Sequence, residues 1–106
     1  MANKKFGEGF DHLADCSHIT QLTVQDTQSD AVHILPNVPG KQASVKIYFA
    51  ISRNANQTIS PQEAQIGLQH YGDYVTEQLE HPDAHPNIRL LLNIIENHEA
   101  WQVAVE

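Results

Sequence analysis

The sequence has a single cysteine, Cys16. No internal disulfide can form, and a Cys-rich structural zinc site is excluded. Basic residues are scarce: six Lys and Arg stand against 13 Asp and Glu, for a formal charge of -7. A nucleic-acid groove needs a basic face, so no nucleic-acid partner is expected, and the same charge argues against an anionic membrane surface. Long apolar runs are missing, so no segment is expected to cross a membrane. No internal repeat or low-complexity segment is present. The opening Met1-Ala2-Asn3-Lys4-Lys5 has the charge of a signal peptide, but Phe6-Gly7-Glu8-Gly9-Phe10-Asp11 is not an apolar core for one. A cytoplasmic location is therefore expected. At 106 residues the chain is expected to form one domain, 1–106, with a modest core. Net acidity is compatible with a basic protein partner, though by itself it signifies only solubility. Seven histidines would begin to offset that charge below about pH 6.5.

The clearest local signals lie in residues 60–97. Ser60 can cap a helix, Pro61 suits its first position, and Glu63 completes a capping box. Ile59 can fold over Ala64 as a weak staple. Ala64, Leu68, Tyr71, Val75 and Leu79 then recur on one face, which predicts a buried stripe along one helix. Gly67 and Gly72 weaken that helix; they mark either a close helix crossing or exposed, tolerated positions. Pro82 and Pro86 push His81 and His85 out of helical geometry, so the chain turns between them. A second helix follows over about 87–97, with Ile88, Leu91, Leu92 and Ile95 as its core stripe. Leu90 and Ile94 widen that stripe, and the short hinge predicts two antiparallel helices.

Phe6, Phe10 and Leu13 suggest a short helix over residues 6–15. Residues 19–26 read as a strand, 27–30 as a polar turn, and 31–35 as a second strand with Val32 and Ile34 facing one way and His33 the other. Together they predict an antiparallel hairpin. Residues 37–43 form a loop. Residues 44–53 fit either a strand, in which Val45, Ile47, Phe49 and Ile51 alternate, or a helix capped by Ser44, with Val45, Tyr48, Phe49 and Ser52 on one face. Periodicity and β-branching favour the strand. Residues 54–58 read as a polar loop. Trp101, Val103 and Val105 predict a C-terminal strand. The fold class is α+β: a small, mainly antiparallel sheet, built from hairpin 19–35 and strand 101–105, with helices packed on one face.

Pro39-Gly40-Lys41, Gly67-Leu68 with Tyr71, and His85-Pro86-Asn87-Ile88 together form a pattern. It resembles a family of small bacterial proteins known as a domain of unknown function. The resemblance covers most of the chain, from the hairpin to the last helix. It implies a helix after Pro39-Gly40-Lys41, although the family carries small and polar residues where this chain has Ile47 and Ile51. It implies no activity, cofactor or catalytic residue.

Four groups of residues could carry chemistry. In the first, a helix opening at Ser44 beside Gly40 and Lys41 could hold an anion. It is not a P-loop, because the second glycine and the Gly-Lys-Ser/Thr order are missing. The plain reading is a turn with a solvated lysine. The second is the hinge with His81, Asp83, His85 and Asn87. His81, Asp83 and His85 are weak metal-ligand candidates that need a third element, such as His98 or Asp73, to complete a site. The plain reading is that an imidazole caps the next helix. The third is Cys16-Ser17-His18 with His12, which lacks an orienting third group; a buried, inert cysteine is the plain reading. The fourth is aromatic: Tyr74 beside Trp101 on an edge strand would suit a protein contact, against ordinary packing.

No catalytic motif is complete and no cofactor is expected. The leading expectation is a non-enzymatic binding or interaction protein, assembled as a homodimer through the edge of the C-terminal strand or the surplus apolar face of the last helix. The alternative is a small-anion or metabolite site, with Lys41 and Ser44 on one wall and His85 and Asn87 on the other. A metal-assisted hydrolase at the hinge is the third. A cleft shared by Lys41 and His85 supports the second reading; opposite faces remove it.

Overall fold

The computed structural model describes residues 16–53 and 55–106; the expected helix over 6–15 and His12 lie outside them. The elements run β1 (Gln21–Asp26), β2 (Val32–Pro36), α1 (Gln42–Arg53), β3 (Thr58–Ile59), α2 (Pro61–Tyr71), α3 (Tyr74–Glu80), α4 (Pro86–Asn97) and β4 (Trp101–Val105). The strands form one antiparallel sheet in the order β2-β1-β4-β3. The α+β class is as the alternation in the sequence predicts. No helix among the described residues is long and apolar enough to cross a membrane.

The register decides which face is covered. Leu22 pairs with Leu35 and Val105, and Val24 with His33 and Val103. Leu22, Val24, Leu35 and Val103 are buried under the helices. His33 therefore sits in an inward-facing row, flanked by valine. Val32 and Ile34 share the opposite face, as the alternation predicts, and that face is open: they are 51% and 52% exposed. The β1–β2 turn is held by Asp26, whose carboxylate accepts from the Gln28 N–H and the Ser29 hydroxyl.

Residues 44–53 are helical, so β-branching gives the wrong answer here. α1 packs against all four strands on one side and against α2 on the other. It needs apolar residues on both sides, and Val45, Ile47, Tyr48 and Ile51 are all buried. A helix covered twice reads like an alternating strand; tertiary packing overrides the local preference. α1 opens at Gln42, two residues before the expected cap at Ser44, which is buried inside the first turn.

Further corrections come from the glycines and the edges. Gly72 has φ +59° and closes α2, so residues 60–80 form two helices rather than one. The break shifts the phase: Gln78 is 3% exposed and Leu79 65%, the reverse of the expected stripe. Gly67, by contrast, is buried where α2 meets α4 and α1, which makes it the close crossing. The box at the start of α2 is present, with the Glu63 carboxylate accepting the Ser60 N–H at 3.0 Å. The loop over 54–58 ends in the short strand β3, which pairs with Trp101 and Gln102. β4 is thus an inner strand, not an edge. On α4, Ile88, Leu90, Leu91 and Ile94 are buried, and Leu92 and Ile95 are partly buried, within the single chain. The wide apolar face of α4 thus packs largely on the core of its own chain. Trp101 is buried and gives its indole N–H to Glu99 at 3.1 Å, so the aromatic pair belongs to ordinary packing.

Candidate functional site

Two segments far apart in sequence meet at one small cleft. Val38-Pro39-Gly40-Lys41 forms a tight turn: the Lys41 N–H donates to the Val38 carbonyl at 2.9 Å, and Gly40 takes φ +88°. That is the arrangement Pro-Gly favours at the centre of a type II turn. It delivers Lys41 to the first turn of α1, with Ser44 just inside.

The opposite wall is the hinge between α3 and α4. Gln78, buried at the end of α3, clamps it. Its amide donates to the Pro82 carbonyl at 2.6 Å, and its oxygen accepts the His85 N–H at 2.6 Å. Pro86 then opens α4, placing Asn87 in the first turn. The His85 imidazole does not cap that helix. Its Nε2 lies 2.8 Å from Glu77 Oε1, and its ring meets Tyr74 edge-on at 5.7 Å between centroids.

The cleft between these walls holds about 100 Å³ and is lined by Gly40, Lys41 and Ser44 on one side and Ala84, His85, Pro86, Asn87 and Ile88 on the other, with Tyr71. All four residues singled out from the sequence, Lys41, Ser44, His85 and Asn87, therefore border one space. The first turns of α1 and α4 both open there; in α4 Pro86 has no N–H and the Ile88 N–H is taken by the His85 carbonyl at 3.0 Å, which leaves the Asn87 N–H as the leading donor. Such turns carry partial positive charge, to which Lys41 adds a full one.

Behind the cleft lies a set of buried hydroxyl contacts that the sequence did not reveal. The Tyr71 hydroxyl donates to Ser44 Oγ at 2.7 Å. The Tyr48 hydroxyl donates to the Asn87 carbonyl. His33 Nε2 lies 2.6 Å from Asn87 Oδ1, tying β2 to α4. Burial pushes both phenols well above the ordinary tyrosine range; the neighbouring Tyr71 adds to the rise at Tyr48, while the Ser44 contact partly offsets that at Tyr71. Both remain protonated donors at neutral pH. In the sequence Tyr48 and Tyr71 look like plain core residues. In the sequence His33 is marked only by facing away from Val32 and Ile34; that its face is the inner one follows from the register.

The other groups do not assemble. Asp83 pairs with Arg89 at 3.6 Å in full solvent, and His85 is engaged by Glu77. Among the described residues no group of three or more His, Cys, Asp or Glu is placed to hold a metal ion. Cys16 is buried, as its plain reading has it. A larger groove of about 420 Å³ lies against the sheet, but Thr23, Gln25, Gln57, Gln102, Val103, Ala104 and Val105 line it, with no charged side chain.

Comparison with curated proteins and comparison with solved structures returned no match. A family described as an uncharacterized protein conserved in bacteria, DUF2322, matches residues 6–105, nearly the whole chain. The chain belongs to that family, as the Pro-Gly-Lys and His-Pro-Asn-Ile pattern foretells.

Proposed function

We propose that this protein is a small binding protein that holds a small anion, or the anionic end of a metabolite, between the residue 39–44 turn and the residue 81–87 hinge. One observation carries the reading: Lys41 and Ser44 share a cleft with His85 and Asn87. Two helix N-termini and a lysine at a single space make a setting for negative charge. The volume suits an ion of a few heavy atoms and is well below that of a pocket for a drug-sized ligand. Catalysis is not part of this reading. Ser44 has a phenol as its partner, and burial keeps that phenol protonated, so it cannot serve as the base a nucleophilic serine requires. Isothermal titration with sulfate tests the site. Wild type should bind, and Lys41→Ala should weaken binding by up to about fivefold, the scale of one exposed charge contact. An unchanged affinity in the variant would place the ion elsewhere.

A second reading, assembly as a homodimer, is supported by the outer strand β2. Among the described residues it lies at an edge of the sheet, and it carries Val32 and Ile34, each about half exposed. An unpaired edge with apolar side chains is a template for pairing with a second copy. Sedimentation should then give twice the 11.9 kDa chain mass, and Ile34→Lys should restore the monomer. A wild-type monomer at every concentration would end this reading.

A further inference from the structure

The cleft has a polarity that narrows its ligand class beyond negative charge. We infer that Tyr71 and Tyr48 act as positioning residues that occupy acceptor atoms at the cleft wall, so that the site takes an oxyanion bearing no proton in preference to one that still carries a proton. This rests on the anion reading above.

Ser44 is 2% exposed and lines the cleft. A phenol is a better donor and a poorer acceptor than an alkyl hydroxyl, so Tyr71 gives its proton to Ser44 Oγ and not the reverse. The Ser44 proton must then go elsewhere. Two turns along α1, Ser52 spends its own on the Tyr48 carbonyl at 2.7 Å. Ser44 makes no such bond to its own helix among the described residues; its proton is left for the cleft. A hydroxyl this buried is a costly place for an unmade bond, which points to an acceptor arriving from outside.

Asn87 is arranged in the same sense. Its carbonyl receives the Tyr48 proton, and its side-chain oxygen faces His33 Nε2, which makes His33 the donor. The Nδ2 hydrogens remain, with no protein partner among the described residues. Lys41 has only protons to offer. Ser44, Asn87 and Lys41 thus all present donors, and Ser44 Oγ and Asn87 Oδ1 each already accept one bond from the interior. A protonated ligand oxygen turned toward any of these three would set donor against donor. Burial holds both phenols well above the range in which they would ionise, so this polarity does not lapse near neutral pH.

Sulfate and monohydrogen phosphate isolate the effect. At about pH 8 both are tetrahedral dianions of similar size, and they differ by one proton. Titration calorimetry should show sulfate binding at least about tenfold tighter, the scale of one polar group left unpaired. Tyr71→Phe, near-isosteric, frees Ser44 Oγ to accept and should narrow that ratio while the fold, followed by circular dichroism, is kept. A role in packing alone would lower both affinities together and leave the ratio unchanged. If that variant does not fold, the wild-type ratio decides. Equal affinities, or tighter phosphate, would overturn this inference and keep the anion site. Binding of neither ion would remove the anion reading itself.

Discussion

Leu91→Ala should cost about 2–5 kcal/mol of folding stability, the range seen when a fully buried leucine is truncated. Leu91 lies in the middle of α4 and is wholly buried. Its Cδ1 lies only 2.8 Å from where a side chain on Gly67 would begin, so on that side it packs against the bare backbone of α2. No side chain at Gly67 can move in to fill the space that truncation leaves. A domain of this size has a net stability of about 5–15 kcal/mol, so the loss is a large fraction of the whole. Urea unfolding measures it. A change below about 1 kcal/mol would show that α4 does not pack on α2 as described.

Gly67→Val should destabilise from the other side of the same contact, by about 1–3 kcal/mol or more. A Cβ there would stand 2.8 Å from Leu91 Cδ1, 3.1 Å from Ile51 Cδ1 and 3.7 Å from Ile47 Cγ2. The two further methyls of valine have to go beyond that. Removing a helical glycine returns at most about 1 kcal/mol, which does not offset the crowding. The two sites should also couple. Gly67→Ala made together with Leu91→Ala should cost less than the sum of the single changes, because the new methyl enters the vacated volume. Strict additivity would separate the two residues in space and contradict the crossing.

The parts of the fold legible in the sequence were those set by local rules. The hairpin and the C-terminal strand follow from alternation, and the start of α2 from Ser60, Pro61 and Glu63. The parts that were not legible depend on partners distant in the chain. Whether 44–53 is strand or helix turns on α1 being covered by both the sheet and α2, and Val45, Ile47 and Ile51 carry no local mark of that. Gly72 was visible as a weak point, but only its backbone angle makes it an end. The two-residue strand β3 exists because Trp101 and Gln102 are there to pair with it.

The candidate site divides in the same way. Lys41, Ser44, His85 and Asn87 were legible because prolines and glycine punctuate the chain beside them. His33, Tyr48, Tyr71 and Gln78 were not. Each acts across a span of the fold: His33 reaches α4 through the register of the sheet, and Gln78 closes the hinge by bonding to both sides of it. A buried glutamine in a stripe that ought to hold Leu79 becomes intelligible only once Gly72 has reset the helix.

Amide chemical shifts followed during a sulfate titration test the central claim most directly, because they locate the ion as well as detect it. Saturable shifts should be largest at the amides of Gly40, Lys41, Ser44, Asn87 and Ile88, where the first turns of α1 and α4 open on one cleft. Smaller shifts should appear at His33, which touches Asn87 from the sheet. Shifts that never saturate, or that centre on the open sheet face around Gln25 and Gln102, would contradict it.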